Sequence, residues 1–138
     1  MAKATATIKG LDKVMANLNK KVNAIEVRTV GGLMAAGLKV QRLSQQRVPV
    51  EYGNLKGSAY TRKALENALA VTVGYSAAYA VFVHENMEQK LKGTPRPSGL
   101  GVYWGPHGQP KFLESAARDL SAEIVATVAA HARKSTAA

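Results

Sequence analysis

Cysteine is absent from the 138 residues, which removes disulfides, thiolate metal sites and cysteine nucleophiles from consideration. Carboxylates are scarce: nine acidic residues stand against nineteen basic ones, a formal net charge of +10. No long apolar run exists either. The longest uncharged stretch, Asn67 to Val83, is interrupted by Asn67, Thr72, Gly74, Tyr75, Ser76 and Tyr79. It falls short of the ~20 apolar residues that a membrane span needs, so it reads as protein core and no membrane partner is expected. The start, Met1-Ala2-Lys3 followed by alternating Ala and Thr, lacks the apolar segment of a secretion signal. No internal repeat is visible.

Catalytic signatures are missing as well. The three histidines, His84, His107 and His131, fall on different elements and no pair has metal-ligand spacing, so no metal or other cofactor is expected. His84-Glu85 near Tyr79 could form an acid–base group, but nothing supplies a third partner or an oxyanion site. Gly74-Tyr75-Ser76-Ala77-Ala78 is not a nucleophile elbow, because Ala78 stands where the last glycine is required. Gly99-Leu100-Gly101 and Gly105-Pro106-His107-Gly108 lack the Lys-Ser/Thr and the strand–helix frame of a phosphate loop. The expectation is a protein that is not an enzyme.

What is present is patterning. The length suits one domain spanning 1–138, large enough to bury a core. Residues 4–9 read as a short edge strand or a frayed end. Leu11, Val14, Met15, Leu18, Val22 and Ile25 recur at helical spacing. A second helical pattern runs from Glu26 to Arg47, with Val30, Leu33, Met34 and Leu38 as its stripe. Gly31, Gly32 and Gly37 each cost roughly 1 kcal/mol relative to Ala in a helix. They mark either close approach of another helix, such as one from a neighbouring subunit, or a bend or break near Gly31-Gly32. The pattern has to stop before Pro49, which pushes its predecessor out of the helical region.

Pro49 to Ser58 reads as a loop with a turn at Tyr52-Gly53-Asn54, where Gly53 can take a positive φ. Two strands follow, about Ser58 to Lys63 and Ala68 to Tyr75. In the second, Leu69, Val71 and Val73 alternate with Ala70, Thr72 and Gly74, as in an antiparallel hairpin with one face on a helix. Ala77 to Glu85 suits a short helix, although Val81 and Val83 would fit a strand. Asn86 to Gln109, with Pro95, Pro97, Pro106 and five glycines, is an extended loop of a length that is usually functional. A hairpin-like excursion with Val102-Tyr103-Trp104 as a brief strand would fit it. From Pro110 a long final helix carries Leu113, Ala117, Leu120, Ile124 and Val128, with Glu114 and Arg118 as an i, i+4 pair and Arg133 and Lys134 against the helix dipole. The fold class is α+β: N-terminal helices, a small antiparallel hairpin and a long C-terminal helix packed on it.

The positive charge fits an acidic partner such as nucleic acid, or simply a self-repelling surface, since the basic residues are scattered. Tyr103 and Trp104, with Lys90, Lys92 and Arg96 nearby, could stack on single-stranded nucleic acid; alternatively they anchor the long loop or pack into a partner.

Three segments in this order resemble a known family. They are Pro49-Val50 with Gly53, Leu55 and Ser58; then Val73-Gly74 with Tyr79, Ala80, Phe82, Val83 and Glu85; then Pro110 with Phe112, Leu113 and Ala116. The pattern is similar to that of tailed-bacteriophage neck proteins, the tail-completion or head–tail joining components of lambdoid gene-ten type. It covers most of the chain, from about Leu11 to Ala130. Glu51-Tyr52, Asn86, Lys111 and Ser115 depart from it. The resemblance implies a ring-forming subunit, a hexamer with a dodecamer as the alternative. It would lie between the head connector and the tail tube of a virion assembled in the host cytoplasm, with DNA passing through the lumen without sequence-specific binding. The expected contact loops are Glu51 to Ser58 and Asn86 to Gln109, and the expected interface residues are Tyr52, Gly53, Leu55, Lys92, Arg96, Tyr103, Trp104 and Phe112. A basic nucleic-acid-binding module is the alternative function.

Overall fold

The computed structural model describes residues 9–50, 53–64, 69–88, 92–97, 99, 101–105 and 107–134. The residues of the expected N-terminal strand, other than Lys9, and residues 135–138, which the sequence suggests as a frayed end, lie outside that set. The architecture is α+β. Its axis is α1 (Leu11–Arg47), 37 residues long, which at the α-helical rise spans roughly 55 Å. The two helical patterns of the sequence are therefore one helix. It stops where proline requires: Val48 is extended, with φ −74° and ψ 137°, and its N–H donates to the Ser44 carbonyl at 3.0 Å.

Gly31-Gly32 does not break α1, and the reason lies in the chain's own C-terminal helix. After α2 (Asn54–Gly57), β1 (Ala59–Lys63), β2 (Val71–Tyr75) and α3 (Ala80–Glu85) come α4 (Phe112–Asp119) and α5 (Ser121–Arg133). These last two run antiparallel along the second half of α1. Arg47 donates to Ser115 at 3.0 Å and pairs with Asp119 at 2.6 Å. Lys39 reaches Thr127 at 3.0 Å and Glu123 at 3.1 Å. At the far end α5 crosses Gly32 so closely that a Cβ there would lie 2.9 Å from His131 Cβ and 3.0 Å from Val128 Cα. The close approach of another helix, one option for these glycines, is thus made at Gly32 within one chain.

The hairpin sits on another side of α1. It is a two-stranded antiparallel sheet whose register runs from Ala59 opposite Tyr75 to Lys63 opposite Val71. Thr61, Val71 and Val73 close over Gly37, where a Cβ would lie 2.8, 3.2 and 3.3 Å from their methyl groups. Thr61 also donates to Gln41 at 2.6 Å. So the buried face of α1 is Gly32, Ala36, Gly37, Val40 and Ser44. The stripe expected from hydrophobicity is displaced from it: Val30, Leu33 and Met34 are half-buried and Leu38 is exposed. Small residues win these positions because two elements press against the helix backbone itself.

A small core closes the C-terminal end of α1. Val48, Leu55, Ala80 and Phe112 are buried together, with Tyr75, Ala77, Val83 and Leu113 against them. Phe112 meets the rings of Tyr75 and His84 edge-on, at centroid distances of 5.1 and 5.0 Å. The fully buried Ser44 hydroxyl is satisfied by Tyr75 at 2.7 Å. Two further corrections follow. The stretch read as loop after Gly53 contains a helical turn, α2, which carries Leu55 into this core. The single C-terminal helix is two, divided at Leu120 (φ −96°, ψ 7°), and it starts at Phe112, not Pro110. The helices α4 and α5 pack chiefly on α1 and reach the hairpin through Phe112 and Tyr75.

The two adjacent glycines provide a paired test. Gly31 faces open space, so Gly31→Ala should raise stability by about 0.5–1 kcal/mol through helix propensity. Gly32→Ala gains the same propensity but overpacks the α5 contact, at a cost of about 1–3 kcal/mol, and should be destabilising overall. Urea denaturation of both variants reads the sign, and equal stabilisation of the two would refute the close-approach account.

Candidate functional site

The most conspicuous surface is the first half of α1. Every residue from Leu11 to Arg28 is exposed. Its apolar stripe, Leu11, Val14, Met15, Leu18, Val22 and Ile25, has no packing partner among the described residues; Leu18, for example, is 52 % exposed. The cause is geometric. α5 ends at Arg133 after crossing Gly32, and the hairpin is centred on Gly37, so neither reaches this arm.

The expected contact loops come together at the other end of α1. They wall an open groove of about 1200 Å³, lined among others by Gln46, Lys56, Lys92, Val102, Trp104 and Gln109. Gly53 has φ 80° and starts α2, which brings Lys56 to the groove and turns Leu55, 5 % exposed, inward. The long excursion folds back on itself. Lys92 bridges Tyr103, Pro95 bridges Val102, Tyr103 N–H donates to Thr94 at 2.8 Å and Arg96 N–H to Gly101 at 2.9 Å. Its return leg then ties down two helix ends: Gln109 N–H donates to the Arg47 carbonyl at 2.9 Å and Lys111 N–H to the His84 carbonyl at 2.7 Å.

The expected interface residues thus divide. Lys92 is exposed, and Gly53 and Tyr103 are partly so. Leu55, Trp104 and Phe112 belong to the chain's own buried interior, and Phe112 is only 1 % exposed. Arg96 is buried too, donating to the Val50 carbonyl and lying 6.0 Å over the Tyr103 ring. Tyr52 and Lys90 lie outside the described residues. Of the two roles open to the Tyr103-Trp104 pair, Trp104 takes that of loop anchor. With it turned inward, no open two-ring platform for bases is formed.

The outer side of α3 is a feature the sequence reading left unassigned. Ala80 and Val83 face the core, so helical geometry turns Val81, Phe82 and Glu85 outward. Val81 is 68 % and Phe82 77 % exposed, with Tyr79 and Met87 also open beside them. An i, i+3 count of the inward residues could have found this face. Its polar edge is ordered: Glu85 accepts from Lys111 and pairs with His84 Nδ1 at 2.9 Å, and His84 Nε2 receives the Glu114 N–H at 3.4 Å. Both nitrogens of His84 are therefore occupied structurally. Among the described residues no group of three histidines or carboxylates could hold a metal, and no helix is long and apolar enough to cross a membrane. No protein-family model, curated protein or solved structure matches this chain.

The Lys111 ammonium, with His84 second, holds the Glu85 carboxyl below its ordinary range, and Glu85 in turn raises the Lys111 ammonium. A lowered carboxylate contributes stability above its ordinary value and loses it as pH falls through the folded value. A raised ammonium contributes below its ordinary value and loses it as pH rises through the folded one. The pair therefore acts across the neutral range. In Lys111→Met, Glu85 should titrate at higher pH by NMR, and the stability gap to wild type should narrow in acid. An unchanged Glu85 titration would count against the pairing.

Proposed function

We propose that this chain is a structural, non-catalytic subunit of a tailed-phage virion. It forms a ring at the head–tail junction that completes the tail and joins it to the head connector. The observation that carries the reading is the uncovered apolar stripe of the α1 arm. A helix face of this kind is buried in a working assembly, because water-exposed apolar patches of such extent mark interaction sites. The order of the three motif segments supplies the identity of the assembly, and their residues serve placement: Gly53 opens α2, Gly74 lies in β2, Phe112 centres the core. The partners are further copies of this chain, in a hexamer with a dodecamer as the alternative, the tail tube and the head connector. A net charge of +10 suits a surface near DNA threading the lumen. The protein would reside in the virion neck after assembly in the host cytoplasm.

The same charge favours a second reading, a basic nucleic-acid-binding module. The two differ in salt dependence and in assembly. A neck subunit should bind DNA weakly at most and without sequence preference, whereas a nucleic-acid-binding module should bind tightly with a steep salt dependence. The neck subunit should also form a closed ring, measured by mass photometry and by negative-stain imaging alone and with tails. Nanomolar DNA affinity at physiological salt by a protein that stays monomeric would establish the alternative instead.

A further inference from the structure

The groove at the C-terminal end of α1 carries positive charge that nothing among the described residues balances. Asp119, the one carboxylate lining it among those residues, is taken by Arg47 at 2.6 Å. Lys56 and Lys92 also line it; both are exposed, and neither makes an ion pair among the described residues. The walls are held from within the chain. Gln45 donates to the Lys56 carbonyl at 2.9 Å, the Gln109 N–H donates to the Arg47 carbonyl at 2.9 Å, and Arg96 holds the Val50 carbonyl. At about 1200 Å³ the groove exceeds the ~300–1,000 Å³ of a typical small-molecule site. The rest of its lining is amide and apolar. Gln45, Gln46 and Gln109 present primary amides, which both donate and accept, and Val50 and Val102 present hydrocarbon.

We infer that this groove binds an extended acidic segment of a different protein. Amide side chains can pair with the N–H and C=O groups of an extended main chain, apolar surface can take its small side chains, and unpaired ammonium groups can take its carboxylates. Nucleic acid fits the lining less well. Trp104 is buried and Tyr103 is half-buried with Arg96 over its ring, so no open ring is offered to a base. A second copy of this chain offers no run of acids to fill the groove. Its nine carboxylates are dispersed, and the two nearest in sequence, Glu85 and Glu88, stand three residues apart, with Glu85 already held by Lys111. The inference deepens the neck reading and rests on it for the identity of the partner, another protein of the junction, since the contact loops of that reading form these walls.

The test uses the whole chain and a defined probe. A fluorescein-labelled peptide of four Asp-Val repeats, capped at both ends, is titrated with the protein at low salt and followed by fluorescence polarisation. Binding should fall when asparagine replaces every aspartate, and should weaken as salt rises. Lys56→Gln and Lys92→Gln should each lower affinity roughly two- to fivefold, the range of an exposed ion pair, and together by about the product of the two. Lys13→Gln with Lys20→Gln removes the same charge from the exposed arm and should leave affinity unchanged. In NMR spectra the side-chain amides of Gln46 and Gln109 should shift as the peptide is added. Equal affinity for the aspartate and asparagine peptides, or an equal loss in the arm variant, would overturn the inference. Tighter binding of an eight-nucleotide oligothymidylate through the same two lysines would overturn it in favour of a nucleic-acid site. Failure of these titrations by a chain that still closes into rings would remove the inference and leave the neck reading standing. Selective binding by a chain that never assembles, alone or with tails, would uphold the groove's chemistry and remove the neck reading.

Discussion

The rest of this fold depends on how closely other backbone can approach one face of α1. Gly32, Ala36, Val40 and Ser44 follow one another four residues apart, with Gly37 beside them, and all five are buried. A row of small residues at this spacing forms a shallow trough along the helix. Into it come α5 at Gly32 and the hairpin at Gly37, both within a distance that a single added methyl would violate. The helix carries the propensity cost of its glycines because dispersion contacts of two elements against bare backbone offset it. Such contacts order the elements, but they leave little volume for a conventional core. Among the described residues Phe112 is the one large side chain that is fully enclosed.

Phe112 completes what the trough begins. It is held where α4 starts, by Lys111 in the left-handed region at φ 55°. There Lys111 closes the C-terminal end of α3 through its N–H and pairs with Glu85 through its side chain. The ring then packs on Tyr75 and His84, and Tyr75 satisfies Ser44 on the floor of the trough. Burial raises the Tyr75 phenol, only partly countered by the Ser44 hydrogen bond, which fits a hydroxyl kept neutral at the edge of an apolar cluster. The ion pairs around this centre are largely solvent-exposed and so contribute more to geometry than to stability. The order of the contact end thus comes from packing and backbone hydrogen bonds.

Much of this was legible in the residues. Proline at 49 fixed the end of α1, Gly53 the positive φ before α2, and the alternation through Val71 and Val73 the buried side of the hairpin. Glu114 and Arg118 meet at 3.0 Å as their spacing indicated. What the sequence hid has a common cause. Hydrophobic periodicity finds faces that bury large side chains, and the working face of α1 buries almost none. The stripe through Leu33 and Leu38 was read as central, and the glycines as ambiguous, when the glycines marked the contact. Leu55, Trp104 and Phe112 are expected at an interface from the sequence because they lie in loop-rich, motif-bearing segments. Local sequence does not reveal that α2, the fold-back of the excursion and the start of α4 turn Leu55, Trp104 and Phe112 inward in turn. The division at Leu120 carries no proline or glycine to announce it.

The arm of α1 raises a separate question of energetics. An isolated helix shorter than about 12–15 residues is marginal in water, and longer ones rely on packing of an apolar face. From Leu11 to Arg28 the arm has such a face and, among the described residues, no packing against it. Its order derives from the anchored half of the same helix, by propagation from a nucleus already formed, and from Gly10 and Asp12 at its start. Ordering and any docking of the arm would therefore be thermodynamically linked: a partner covering Leu11 to Ile25 would supply burial that the described residues do not. In an assembly subunit of the kind proposed, that linkage would be useful, since the arm would be best defined where a second molecule is present to receive it.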